Sequence, residues 1–307
     1  MSRDFTFPEP EDFRTESSTR PYPGFRTGIF EPFERPSPAN ASENGPPHEA
    51  ARSFGPSGAR IPDNTRAVFY ERDRAYRLRE SERHTLAELG MFRLIPTEDL
   101  RKHAYQNHPE EMKQDIRNLL RQGLIRRVAY EDFIAPPREM LTLTQQGYRL
   151  VRPNRFVADD QLLYHGFPKL KEADHDGDIY RVYQKAAAQI EAEGGTNLRV
   201  VLQVELQKNV KRDLAIWGIG SRHEIASRYG LRVVGEKIPI PDIRVEYQMP
   251  EEQMAYRDLE LITEHYRAAD LAEKVSAGFS LYARRNEADR LRRVLDRRGL
   301  TAGLVSL

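Results

Sequence analysis

The chain has 307 residues, 39% of them apolar and 31% charged, and its 48 basic and 47 acidic side chains leave a formal charge of +1. Such a length suits about two domains, and a near-neutral total means that any nucleic-acid role has to rest on local placement of charge. The absence of cysteine excludes disulfides, a cysteine nucleophile and thiolate zinc sites.

The opening Met-Ser-Arg-Asp-Phe-Thr-Phe-Pro has no apolar core of the kind a secretory leader needs. Nowhere do apolar residues approach the ~18 in succession that a membrane span requires. A cytoplasmic protein with no membrane partner is expected. Residues 1–60 hold half of the 20 prolines, with Ser, Gly and Asn between them and no helical or strand period. A segment of this kind buries too little apolar surface to offset its ordering entropy, so it is expected to be disordered. Phe5, Phe7, Phe13, Phe25, Phe30, Phe33 and Phe54 interleave with proline and acids there, which suits either short docking motifs for a protein partner or a plain spacer.

An Arg-rich stretch from Arg66 to Arg79 reads as a helix leading into the first domain, over residues 62–150. Ser81 reads as the cap of a helix carrying Leu86 and Leu89, ending near Arg93, and Thr97 as the cap of a short second one. Pro109 opens a third, in which Met112, Ile116, Leu119 and Leu120 form an apolar stripe and Gly123 closes the helix. Two strand-like runs, Leu124–Tyr130 and Glu139–Thr144, follow, then a short helix through Leu150. Three helices and a hairpin are the order of a winged helix-turn-helix.

On the third helix Lys113, Arg117 and Arg121 recur at i+4 on the face away from the apolar stripe. Long cations on one exposed helix face reach phosphates and base edges in a major groove. Arg126 and Arg127 add charge at the wing, and double-stranded DNA is the expected partner. Glu110, Glu111 and Asp115 oppose it, and a helix of mixed charge also suits protein contacts.

Residues 160–307 alternate helix and strand. The expected helices are Asp178–Glu193, Lys208–Tyr229, Glu264–Arg285 and Asn286–Arg298; the expected strands are Leu198–Leu206, Leu231–Tyr247 and Tyr256–Ile262. The fold class is therefore α+β: an N-terminal winged helix-turn-helix followed by a mixed α/β domain. Asp258 and Glu260, two apart on a strand, share a face. A hairpin across Gln248–Met254 brings Asp242 to them, and three carboxylates at a strand edge suit a hard ion such as Mg2+. The bland alternative is a turn cap at Asp242 and a solvated edge face. His175, Asp176 and Asp178 suit a metal cluster or, more simply, a helix cap. Gly194-Gly195-Thr196 lacks phosphate-loop spacing, and no Gly-x-Ser-x-Gly elbow occurs. Lys208, Lys211, Arg212, Arg222 and Arg228 make one helical stretch basic, and Arg290, Arg292, Arg293, Arg297 and Arg298 another. Both widen a DNA footprint or form solvated faces.

Over about residues 80–285 this succession resembles the plasmid replication-relaxation family. The matching elements are the winged helix, Pro241-Asp242, the acidic strand Asp258-Leu259-Glu260, Thr263-Glu264 opening a helix, Lys274 and Tyr282. The resemblance implies a second domain similar to the PD-(D/E)XK, restriction-endonuclease-like nuclease fold. It also implies DNA binding in the replication, mobilisation or maintenance of a plasmid or other mobile element. Asp242, Asp258, Glu260 and Lys274 would be the catalytic set, with Mg2+ as cofactor if the site is active. The sequence departs from the nuclease pattern at its lysine. With Asp258 as the second acid, Glu260 stands in the lysine place; with Glu260, the inert Ile262 does, and Lys274 has to substitute. Metal-dependent nuclease and degenerate assembly domain are the two alternatives to plain DNA binding.

Overall fold

Where a helix was expected, residues 66–79 form a hairpin. In the computed structural model, which describes residues 65–106, 108–130, 138–168, 172–263, 265–297, 299–300 and 303–307, β1 (Ala67–Glu71) pairs antiparallel with β2 (Arg74–Leu78). The expected disordered tail, residues 1–60, lies outside the described residues. Arg72, at φ 51°, turns the chain with Asp73. Packing of period two explains the hairpin: Tyr76 and Leu78 are buried and Arg77 is exposed, and Phe69 meets Phe156 edge-on, centroids 4.9 Å apart. Aromatic and β-branched side chains fit a pleated, half-buried surface, and here they outweigh the arginines.

Next come α1 (Glu80–Met91), β3 (Ile95–Pro96), α2 (Thr97–His103), α3 (Pro109–Arg121), β4 (Ile125–Tyr130), β5 (Arg138–Leu143) and α4 (Gln145–Val151). The three strands pair antiparallel in the order β3-β5-β4. Two expected caps are employed elsewhere. The Ser81 hydroxyl donates to Asp115 (2.5 Å) and the Thr97 hydroxyl to Glu139 (2.9 Å), while the Arg79 N–H donates to the Glu82 carboxylate (2.8 Å) at the start of α1. Thr144 does cap α4, its hydroxyl oxygen accepting from the Gly147 N–H at 3.0 Å. The Leu124 carbonyl leaves no room for a Cβ at Gly147.

The stretch between α4 and the next helix is no free linker. Phe156, Val157 and Leu163 are buried. The Gln161 side chain accepts from the Val200 N–H and donates to the Val200 carbonyl, both at 2.9 Å. It thus pairs with the edge of the second sheet as a backbone would, satisfying groups that burial makes costly to leave open.

The second part runs α5 (Ala173–Ala192), β6 (Thr196–Leu202), α6 (Gln203–Trp217), α7 (Arg222–Arg228), β7 (Ile243–Gln248), β8 (Met254–Ile262), α8 (Ala268–Ala277), β9 (Ser280–Ala283), α9 (Arg285–Arg297) and β10 (Leu304–Ser306). Its sheet has the order β10-β9-β8-β7-β6. Strands β6, β7 and β8 are antiparallel, whereas β8, β9 and β10 are parallel. A parallel neighbour needs a crossover, and α8 supplies it. The helix expected over Glu264–Arg285 is therefore divided: Gly278, left-handed at φ 87°, ends α8, and Phe279 leads into β9. Tyr282, expected on that helix, sits buried in β9.

One sheet face, with Val200, Ile243, Val245, Leu259 and Leu261, packs in a core shared with α5 and the first part. The other, with Val201, Ile262, Leu281 and Ala283, packs under α6 to α9. Phe92 joins the two parts, its ring 5.2 Å from that of Tyr180 and 5.0 Å from that of Tyr183 on α5. Among the described residues no helix is long and apolar enough to cross a membrane.

Candidate functional site

On α3 the apolar stripe turns inward and Lys113, Gln114, Arg117 and Arg121 stand exposed on the opposite side. Lys113 is tied to Glu110 at 2.8 Å. Asp115, expected beside these cations, is instead fully buried. It accepts from Arg79, from Ser81 at 2.5 Å and from Tyr105 at 3.2 Å, which withdraws one negative charge from the exposed face. Arg126 and Arg127 are exposed too, but successive strand residues point to opposite faces. They cannot both accompany α3, and Arg127 is paired with Glu139 at 3.1 Å.

The carboxylates meet at the head of β7. Register places Ile243 opposite Leu259 and Arg244 opposite Asp258, so Asp242 arrives beside Glu260. The Asp242 N–H donates to Glu260 Oε2 (3.2 Å), and Asp242 Oδ2 accepts from the Leu261 N–H (2.9 Å). Lys274, from α8, lies 2.6 Å from Glu260 Oε1 and donates to the Ile240 carbonyl at 3.1 Å. Tyr266 donates to the same Glu260 oxygen at 2.8 Å. From α5, His175 Nε2 approaches Asp242 Oδ1 at 3.3 Å. Burial pushes both carboxyls above the ordinary carboxylate range. Asp242 raises Glu260 further, and Lys274 pulls both back.

Asp258 shares the face, as expected, but not the site. Arg244 takes it bidentately, at 2.6 and 2.8 Å. The same guanidinium donates to the Tyr229 carbonyl (2.5 Å) and covers the Tyr256 ring at 4.1 Å. The three carboxylates expected to converge are therefore two, because an arginine buried near the start of β7 needs a counter-charge more than the cluster needs a third acid. Arg244 was legible as a cation inside the apolar run Ile243–Val245. Tyr266 gave no such signal.

His175, Asp176 and Asp178 part company. Asp176 faces Arg93 at 3.5 Å. Asp178, fully buried, is bracketed by Arg181 (2.8 Å) and Arg284 (2.6 Å). A depression beside Asp242 is lined by Arg93, His175, Asp176, Gln203 and Val204. For a hard divalent cation the donors fit in kind, since Asp242 and Glu260 offer oxygen, although Lys274 already compensates part of their charge. They fall short in number: among the described residues no three His, Asp or Glu side chains converge as a cage. Both Glu260 oxygens are already engaged. No family model, curated protein or solved structure matches the chain.

Proposed function

We propose that the protein binds duplex DNA through α3, in the manner of a winged helix-turn-helix. The order α1, α2, α3 and then the β4–β5 pair supports that reading. The observation that carries it is the exposed row Lys113, Arg117 and Arg121 on a helix whose central acid, Asp115, is buried. The resemblance to the replication-relaxation family extends the proposal to a role in replication, mobilisation or maintenance of plasmid-like DNA. In the second part, α5, β6, β7, β8, α8 and β9, with α6 and α7 inserted between β6 and β7 and the acids at adjacent strands, support a restriction-endonuclease-like architecture. Affinity for duplex should fall steeply with salt. Arg117→Ala combined with Arg121→Ala should flatten the log–log slope by about 1.8 units, at roughly 0.9 per lost phosphate contact. A double variant that binds like wild type at every salt concentration would refute α3 as the reader.

A metal-dependent nuclease is the second reading, favoured by the meeting of Asp242, Glu260 and Lys274. Asp242 and Glu260 would hold Mg2+, which supplies polarisation of a phosphodiester; Lys274 already neutralises part of the pair. With both Glu260 oxygens occupied, slow or absent cutting is expected. Nicking of supercoiled plasmid in Mg2+ or Mn2+ is the measurement. Cutting by the wild type that Asp242→Asn removes would establish an enzyme, and intact plasmid under both ions would leave a binding domain.

A further inference from the structure

The corner where α6 meets α7 is built differently from the rest of the surface. Ile216, Trp217 and Ile219 are 65, 61 and 70% exposed, at the end of a helix whose other face is buried through Leu206 and Val210. Basic side chains belong to the same segment: Arg212 stands exposed on α6, and Arg222 and Arg228 are partly exposed on α7. The acids of this segment are mostly turned inward. Glu205 is buried, and buried Asp213 accepts from Arg212 (3.2 Å), Arg228 (3.1 Å) and Tyr229 (2.8 Å). Glu224 is the acid left exposed. Held in this way, Arg228 lies 5.9 Å from the Trp217 ring.

We infer that this corner forms a docking surface for single-stranded nucleic acid, with a base stacked on Trp217 and the neighbouring phosphates on Arg222 and Arg228. Charge complementarity selects a polyanion, because the exposed charges are cationic apart from Glu224. The exposed indole selects a single strand, because only an unstacked base offers its face to a side chain; a duplex keeps its faces covered. The guanidinium beside the ring suits the same partner, since arginine contributes cation–π contact to such platforms. This surface is separate from α3, and its test is independent of duplex binding there.

Trp217 is the sole tryptophan of the chain, so tryptophan emission, excited selectively over tyrosine in the full-length protein, reports this corner alone. Titration with the oligonucleotide dT20 should quench that emission saturably, and the quench should weaken as salt rises. Trp217→Ala should bind labelled dT20 about tenfold more weakly, the loss of one stacked base. Arg222→Ala with Arg228→Ala should flatten the salt slope by about 1.4 units, at roughly 0.7 per phosphate for a single strand. Arg117→Ala with Arg121→Ala should leave the quench unchanged, which keeps this surface distinct from the duplex reader. Emission that ignores dT20 would overturn the inference. So would a blue shift with anionic lipid vesicles in place of the quench, which would make the apolar corner a membrane contact, or a dependence on protein concentration alone, which would make it a contact between copies.

Discussion

Arg244 shows how one buried side chain can redirect a site. It is 2% exposed within β7, and a guanidinium taken from water there is tolerable only with its charge and its N–H groups satisfied. Asp258, the Tyr229 carbonyl and the Tyr256 ring do this together. Removing one partner of such a pair strands the other. Arg244→Ala is therefore expected to cost about 3–5 kcal/mol, whereas Arg244→Met with Asp258→Leu should come close to wild type. Urea denaturation of the two variants checks this. Equal losses in both would mean that the pair's shape, not its charge, holds the strand.

At the scale of the element, α3 and α6 place their acids by opposite rules. Asp115 on α3 is buried where donors from Arg79, Ser81 and Tyr105 compensate it. Glu205, in the first turn of α6, is also buried, and Arg199 reaches one of its oxygens at 2.9 Å. Its other oxygen, Oε2, has no hydrogen-bond partner among the described residues. Burial pushes its carboxyl up to about 7 against the pull of Arg199. The folded chain then holds this proton more tightly than the unfolded chain. Folding takes up a proton between the ordinary value of 4.5 and about 7, and stability declines as pH rises through that window. Glu205→Gln should remove the share of that decline due to Glu205, on the order of 2 kcal/mol between about pH 5 and pH 8. Unfolding free energies across that range are the check, and profiles of equal slope would contradict it.

At the scale of the molecule, the two parts share one apolar core instead of meeting across a linker. Phe92 packs on Tyr180 and Tyr183, Tyr180 donates to Glu88 at 2.8 Å, and Arg181 donates to Asp99 at 2.8 Å. Gln161 completes the edge of β6. Heating should therefore give a single cooperative transition, and Phe92→Ala should lower it as a whole, by about 3–5 kcal/mol. Two separated transitions in calorimetry would show that the parts unfold independently. The same junction brings Arg93, just after α1, into the lining of the depression beside Asp242.

Sequence alone determined the elements whose pattern is local. The stripe and Pro109 of α3 and the turn between β7 and β8 are written in neighbouring residues, so helix period and hairpin register could be read from them. The meeting of Asp242 with Glu260 was also legible, because strand alternation and one hairpin suffice to predict it. Tertiary structure decided what depends on distant partners. Asp115 turns inward because Arg79 and Ser81, over thirty residues earlier, offer it donors. Residues 67–78 become a hairpin because Phe156 waits to cover Phe69. Residues 280–283 become a strand because β8 and β10 flank them. Asp258 leaves the site because the desolvated charge of Arg244 lies directly across the ladder. Burial sets the cost of each unpaired charge and open backbone group, and burial is a property of the packed chain that no local window contains.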